Sequence, residues 1–285
     1  MCCGYYEKFK NQKISVNEFY NKRYLKILPF FALLVLLDLA VSLMFDGKVT
    51  VGKIYEAFAN LTLMFGFYTQ SGMSVIGVGW TLGVIFGFYI LFPFFVYLTW
   101  TKRRAWMNLL ITTVISYISE VYFGVGGSLC FQWLCYFVAG GLIYLYRDKL
   151  GGLVKNTRVG IIVTVLGFIL VYVVKIPWDG ALVVILGTSK KMMGFSLMVI
   201  GALCVDTKLW CNSVSKFISS VSLEIYLAHM MVFRVIEKVG LTRIAGESVL
   251  SYTIVCGLTI GGVVLFAALY KIIETKIKKR LYIAS

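Results

Sequence analysis

Gly79-Trp80-Thr81-Leu82-Gly83-Val84-Ile85-Phe86-Gly87-Phe88-Tyr89-Ile90-Leu91-Phe92-Pro93 runs for fifteen residues without a charge. A stretch this oily is either buried in protein or solvated by lipid, and the rest of the chain decides which. Comparable apolar runs recur through all 285 residues, which are 60% hydrophobic and only 14% charged. An ordinary soluble domain is nearer a quarter charged, so a bilayer has to solvate this chain. The fold expected is all-α: one polytopic integral membrane helical bundle covering residues 1–285.

Working outward from that stretch, eight segments are long and apolar enough to span, at about 27–45, 78–99, 105–123, 131–146, 159–174, 191–205, 217–236 and 248–271. Two shorter pieces, about 54–69 and 178–188, are rich in Gly, Asn or Thr and read as re-entrant or broken segments. Such backbone is tolerated at membrane depth only where protein or a wet cavity satisfies it. With both short pieces not crossing, twenty Lys and Arg residues fall on the side of the termini and seven on the other. Basic residues collect on the cytoplasmic side, so both termini are expected there.

The net charge of +15 is explained by this placement of basic residues between spans, which excludes a nucleic-acid partner. The seven cysteines (Cys2, Cys3, Cys130, Cys135, Cys204, Cys211, Cys256) form no CxxC pair, and most read as small buried hydrophobes. Cys2-Cys3 offers an acylation site, although no lipoprotein signal precedes it. Residues 7–26 are polar and basic, so no cleavable signal peptide is read there. No P-loop, zinc-type Cys/His cluster or Gly-x-Ser-x-Gly elbow is present, so no metal site is expected.

Three local patterns converge on one family. Phe19-Tyr20-Asn21-Lys22-Arg23-Tyr24-Leu25-Lys26-Ile27-Leu28-Pro29 resembles the basic Arg-x-x-Arg-Ile-x-Pro entry of the acyltransferase-3 family, with Lys26 in place of the second Arg. The 80–93 stretch resembles that family's Trp-Ser-Leu…Phe-Tyr-x-x-x-Pro helix, with Ile85 and Phe86 where many members carry Glu. Ser222-Leu223-Glu224-Ile225-Tyr226-Leu227-Ala228-His229 resembles its Ser-x-x-Ile-Tyr-Leu-x-His segment. The patterns occur in family order across nearly the whole chain.

The resemblance implies O-acyl transfer from acetyl-CoA, or another acyl-CoA, to a hydroxyl of a cell-envelope polysaccharide or lipid-linked sugar. It implies no tightly bound cofactor. Family members typically have ten spans and carry the catalytic histidine on an early helix. The first residues here resemble the tail of the family's second helix, so that histidine has no counterpart in the 285 residues. The chain as written is therefore expected to be inactive or impaired, and a longer gene product to carry the missing helices.

His229 is the only histidine and a candidate base, weighed against a histidine that hydrogen-bonds across helices. Tyr226 lies three residues earlier on the same helical face, placed to orient the ring. Arg23 and Lys26 stand at a helix entrance, suited to donor phosphates and equally to plain topology. Trp80 and Tyr89 match family positions for substrate contact and read as well as packing or interfacial aromatics. Asp38 sits in an otherwise apolar run, so it must face the bundle interior, be protonated or pair with a cation. Glu224 and Arg234 lie about 140° from His229 around an ideal helix, which argues against a triad.

Two other functions fit the same features. A transporter or flippase for a small solute or lipid-linked sugar would also use broken helices, Asp38 and His229. A non-catalytic partner of envelope-assembly proteins would need none of these side chains for chemistry. The partners expected are the lipid bilayer, acyl-CoA and a saccharide acceptor, and the setting is a bacterial inner membrane.

Overall fold

The computed structural model describes residues 1–285 apart from 68–76, 124–128, 154–155, 178–179, 204–211, 244–245, 247 and 285. Cys204, Cys211, Lys155 and Lys208 lie outside the described residues. Among the described residues every regular element is helical. Ten α-helices follow in order: α1 (Cys2–Lys10), α2 (Val16–Asp46), α3 (Val51–Leu61), α4 (Trp80–Leu98) and α5 (Lys102–Phe123). Then come α6 (Leu134–Leu153), α7 (Thr157–Tyr172), α8 (Ala181–Leu203), α9 (Ser213–Lys238) and α10 (Val249–Ala284). Among the described residues, five helices are long and apolar enough to cross a membrane: α2, α4, α8, α9 and α10. Helix α7 is apolar but shorter. A lipid-exposed chain must satisfy its backbone internally, which is why the apolar runs close into helices.

Local chemistry sets the ends. Ser15 Oγ accepts from the Glu18 N–H at 3.1 Å to open α2, and Thr50 Oγ1 accepts from Lys53 N–H at 3.3 Å to open α3. Asn156 and Asn212 cap α7 and α9 through Oδ1, accepting from Arg158 N–H at 2.9 Å and Ser215 N–H at 2.8 Å. Pro29 and Pro93 sit inside α2 and α4, where each removes one intrahelical donor without ending the helix.

One correction concerns the second short segment. Residues 181–188 are not a separate re-entrant piece but the first third of α8, continuous to Leu203. The sequence reading split the run at Lys190 and Lys191, placing both outside the membrane. In the helix, Lys190 Nζ instead donates to the Val174 carbonyl at 2.6 Å, which lets the cation stay within the element. Of the first short segment, 54–69, the described residues 54–67 form the rest of α3 followed by a 3₁₀ turn at Met64–Phe67, while 68 and 69 lie outside the described residues.

The chain divides into two compact units. The first comprises Met1–Tyr24, Gly66–Ser71 and Gly83–Trp210. Its core gathers Tyr6, Ile14, Phe19, Phe92, Val96 and Tyr144. Phe19 stacks on Phe92 with centroids 5.4 Å apart, and the buried Tyr6 hydroxyl donates to Thr99 O at 2.8 Å. Helices α7 and α8 meet through glycines. A Cβ on Gly167 would stand 2.6 Å from Gly194 O, and one on Gly201 would stand 2.5 Å from Gly160 O. In lipid, helix association has little hydrophobic drive, and small residues that let backbones approach supply van der Waals contact instead.

The second unit comprises Leu25–Phe65, Gly72–Leu82 and Cys211–Ser285. Here α9 packs along α10, and Phe30 of α2 meets Tyr270 of α10 with ring centroids 4.6 Å apart. Glu224, buried on α9, pairs with Lys271 of α10 at 3.6 Å.

Candidate functional site

Within the second unit, His229 and Tyr226 stand one turn apart on α9. His229 Nδ1 lies 2.6 Å from the Tyr226 carbonyl oxygen. A carbonyl only accepts, so Nδ1 carries the proton. Nε2 is left outside this bond. Tyr226 is itself held: its hydroxyl shares a 3.0 Å hydrogen bond with Thr81 Oγ1, which also donates to Val78 O at 2.9 Å. Thr81 is the middle residue of the Trp80-Thr81-Leu82 pattern, so two of the three sequence patterns meet here. Trp80 itself is half-buried.

His229 lines an open cavity of about 860 Å³ between α9 and the first half of α10. Its walls are mostly apolar, with Met230 and Phe233 from α9 and Val255, Cys256 and Ile260 from α10. Hydroxyls of Thr242, Ser248, Ser251 and Tyr252 gather where α10 begins, and Ser251 Oγ donates to Thr242 O at 3.1 Å. This volume falls within the range that small-molecule sites use.

A second, smaller cavity of about 210 Å³ is lined by Asp38, Gly77, Met230, Met231, Phe233, Arg234 and Glu237. Met230 and Phe233 line both spaces. Asp38 is buried and paired with Arg234. Arg234 Nη2 also donates to the buried Ser42 Oγ at 3.2 Å and lies 3.8 Å from Asp46. Lys238 donates to Asp46 at 2.6 Å, and Lys53 donates to Ser42 at 2.7 Å while lying 3.8 Å from Asp46. Of the options open to Asp38, the structure therefore contains the pairing with a cation. Arg234 and Glu224 each face a partner other than His229, as their position around the helix implies.

In the first unit, Arg23 and Tyr89 are brought together. The Arg23 guanidinium lies over the rings of Tyr5 at 4.4 Å, Tyr89 at 5.1 Å and Phe19 at 5.9 Å. Cation–π contacts of this kind hold an arginine in place in a low-dielectric setting. Its Nε is buried and makes no hydrogen bond. Lys26, three residues on, is exposed.

Sequence reasoning missed Thr81, Ser42, Asp46 and Tyr5. Asp46 was legible as a charge next to an apolar run. The others carry no signal of their own, since hydroxyls and rings near spans are common. In α1, outside the spans, burial pushes the Cys2 thiol up to about 11. Among the described residues, no group of three or more His, Cys, Asp or Glu side chains gathers as a metal site would.

A family model described as an acyltransferase domain, that of acyltransferase-3, matches residues 9–268. No curated protein and no solved structure matches the chain. The match begins before Arg23 and ends after the cavity on α9 and α10, so it spans all three sequence patterns.

Proposed function

Because this chain belongs to the acyltransferase-3 family, we propose that it moves an acyl group, acetyl first among them, from acyl-CoA to a hydroxyl of a cell-envelope saccharide. The setting proposed is a bacterial inner membrane with both termini cytoplasmic, in keeping with the uneven distribution of basic residues.

Against the expectation that the chain is inactive for want of the family's early histidine, the observation that carries the chemistry is the imidazole of His229. Its Nδ1 is committed to the Tyr226 carbonyl, and the residue lines a cavity large enough for a substrate. In the proposed step, Nε2 takes the proton of the acceptor hydroxyl as the oxygen attacks the thioester carbonyl carbon. A tetrahedral oxyanion forms and collapses, the C–S bond breaks, and the departing thiolate recovers the proton from the imidazolium. The products are an O-acyl ester and free CoA. General-base assistance of this kind contributes about 10²–10⁴-fold. Tyr226, held by Thr81, is a positioning residue for the ring. Arg23, in the first unit, and Lys26, in the second, are separate proposed contacts for phosphate groups. Arg23 has the fixed, planar fork suited to phosphate oxygens, and its Nε is buried without a hydrogen bond.

The test is product formation. Purified protein in lipid nanodiscs is incubated with acetyl-CoA labelled in the acetyl group and an envelope saccharide. The expected result is label in an alkali-labile ester on the saccharide, with one CoA thiol released per ester. Uptake of saccharide into sealed vesicles with no CoA released would contradict the proposal and favour transport.

A further inference from the structure

We infer that a groove in the first unit, where α4 ends and α5 begins, binds one anionic phospholipid. Its phosphate lies against Arg104, and an acyl chain runs down α5 past Met107 and Ile111. The groove measures about 210 Å³ and is lined by Tyr97, Leu98, Arg104, Met107, Asn108 and Ile111. All six belong to the first unit. Arg104, Met107, Asn108 and Ile111 stand at i, i+3, i+4 and i+7, so they form one stripe on α5. The stripe is cationic in its first turn and hydrocarbon two turns on. A phospholipid presents headgroup and chain in the same order.

The groove is held in shape by its own hydrogen bonds. Asn108 Nδ2 donates to Leu98 O at 2.7 Å and to Arg104 O at 3.0 Å, tying the last turn of α4 to the first of α5. Thr101 Oγ1 accepts from the Arg104 N–H at 3.3 Å and caps the start of α5. The Arg104 guanidinium lies over the Tyr97 ring, 5.9 Å from its centroid. Such a contact orients the cation and leaves its N–H donors for a phosphate, whose oxygens match the planar fork. Groups fixed in advance lose less entropy on binding.

Charge selects the headgroup. Lys102, Arg103 and Arg104 are consecutive and exposed, and among the described residues no carboxylate pairs with any of them. Asp148, on α6, is taken by Arg147 at 3.7 Å. A choline headgroup would add a fourth cation to this cluster, whereas a glycerol headgroup leaves the phosphate charge uncancelled. Basic clusters beside membrane helices attract anionic lipid for this reason. Aromatic rings mark the depth. Lys10 lies over Trp100 at 5.7 Å, Lys102 lies over Tyr146 at 4.7 Å, and Trp106 Nε1 donates to the Tyr146 hydroxyl at 3.2 Å. Trp and Tyr gather where hydrocarbon meets headgroups. At about 30 Å³ per water the groove is worth about seven waters, so it holds only the headgroup end of a lipid. Beyond Ile111 the stripe continues through Val114, Ile115 and Ile118, all exposed, which gives the chain a path. The site stands whether or not the protein transfers acyl groups.

The experiment titrates the full chain in detergent with phosphatidylglycerol or with phosphatidylcholine of the same chains, counting bound lipid by native mass spectrometry. A phosphatidylglycerol carrying a diazirine on one chain maps the site by crosslinking. Lipid-free glycerophosphoglycerol is the competitor. Two variants remove the same charge from neighbouring exposed residues, Arg104→Gln inside the groove and Arg103→Gln outside it. The wild type is expected to bind phosphatidylglycerol at least fivefold more tightly than phosphatidylcholine. Arg104→Gln is expected to abolish that preference and Arg103→Gln to keep it. The crosslinks are expected between Met107 and Ile118.

Equal binding of the two lipids by the wild type would overturn the inference, because the groove would then hold bulk lipid only. An equal loss in both variants would also overturn it, since the basic cluster would then act through net charge and not through a site. So would full competition by glycerophosphoglycerol at the lipid's own concentration, which would make this a site for a soluble phosphate. Crosslinks spread evenly over the exposed faces of other helices would do the same.

Discussion

Helices α7 and α8 in the first unit and helices α2 and α9 in the second show two ways of joining helices that lipid surrounds. The α7–α8 pair meets at backbone distance through Gly160, Gly167, Gly194 and Gly201. The α2–α9 pair is joined by charge, with Asp38 and Asp46 facing Arg234 and Lys238. The first arrangement needs only shape. The second keeps charges in an expensive place, where each must have a partner. Dry glycine packing serves as scaffold, and candidate chemistry collects where polar groups are already being held.

The comparison breaks most visibly at Arg234. Arg234→Ala leaves Asp38 buried without its cation, and removing one partner of a buried pair is worth about 3–5 kcal/mol. The expected outcome is loss of a monodisperse peak in detergent, or a large drop in unfolding midpoint. The neutral double variant Asp38→Asn with Arg234→Gln is expected to recover much of the loss. If Arg234→Ala is as stable as wild type, the charge network is not what joins α2 to α9.

The glycine pair should respond next. Gly167→Leu forces a side chain into the space where Gly194 O already stands 2.6 Å from an ideal Cβ. Overpacking of this kind costs about 1–3 kcal/mol, read as a lower unfolding midpoint in the same detergent. A larger loss here than at Arg234 would invert the order of the two regions. An unchanged midpoint would mean the α7–α8 contact yields freely.

How much of this was legible follows from where each signal lies. Apolar runs in α2, α4, α9 and α10 announce themselves, because a span has to be oily along its whole length. Asp38 announces a need for the same reason, as a charge in a run that tolerates none. Its answer, Arg234, lies 196 residues away, and no local pattern links the two. Lys190 and Lys191 misled in the opposite sense. They looked like the end of a segment, yet the helix continues through them because Lys190 finds the Val174 carbonyl. In the candidate site, His229 and Tyr226 could be paired from their spacing on one helix. Thr81 could not, since its hydroxyl reaches Tyr226 only once α9 stands beside residues 78–82.

Thr81→Val therefore tests a contact that the sequence hides. Losing this hydrogen bond is worth about 0.5–1.5 kcal/mol. The expected signature is a fall in kcat with saccharide KM little changed, because Tyr226 positions the ring without binding substrate. A change in KM alone would assign Thr81 to binding instead.

The smallest expected effect lies far from either contact, in α1. With the Cys2 thiol at about 11, its reactive thiolate is scarce at neutral pH and grows as pH rises toward that value. Iodoacetamide labelling followed by peptide mapping should show slow modification of Cys2 at pH 7.5 and a steep increase above pH 9. Rapid labelling already at pH 7.5 would mean that α1 does not bury the thiol.

The most direct measurement is kcat for acetyl-ester formation by wild type and by His229→Gln, which keeps a polar side chain but cannot act as a base near neutral pH. The expected result is a drop of about 10²–10⁴-fold in kcat, with binding of the saccharide unchanged. An unchanged kcat would contradict the role given to His229 and return it to holding helices together.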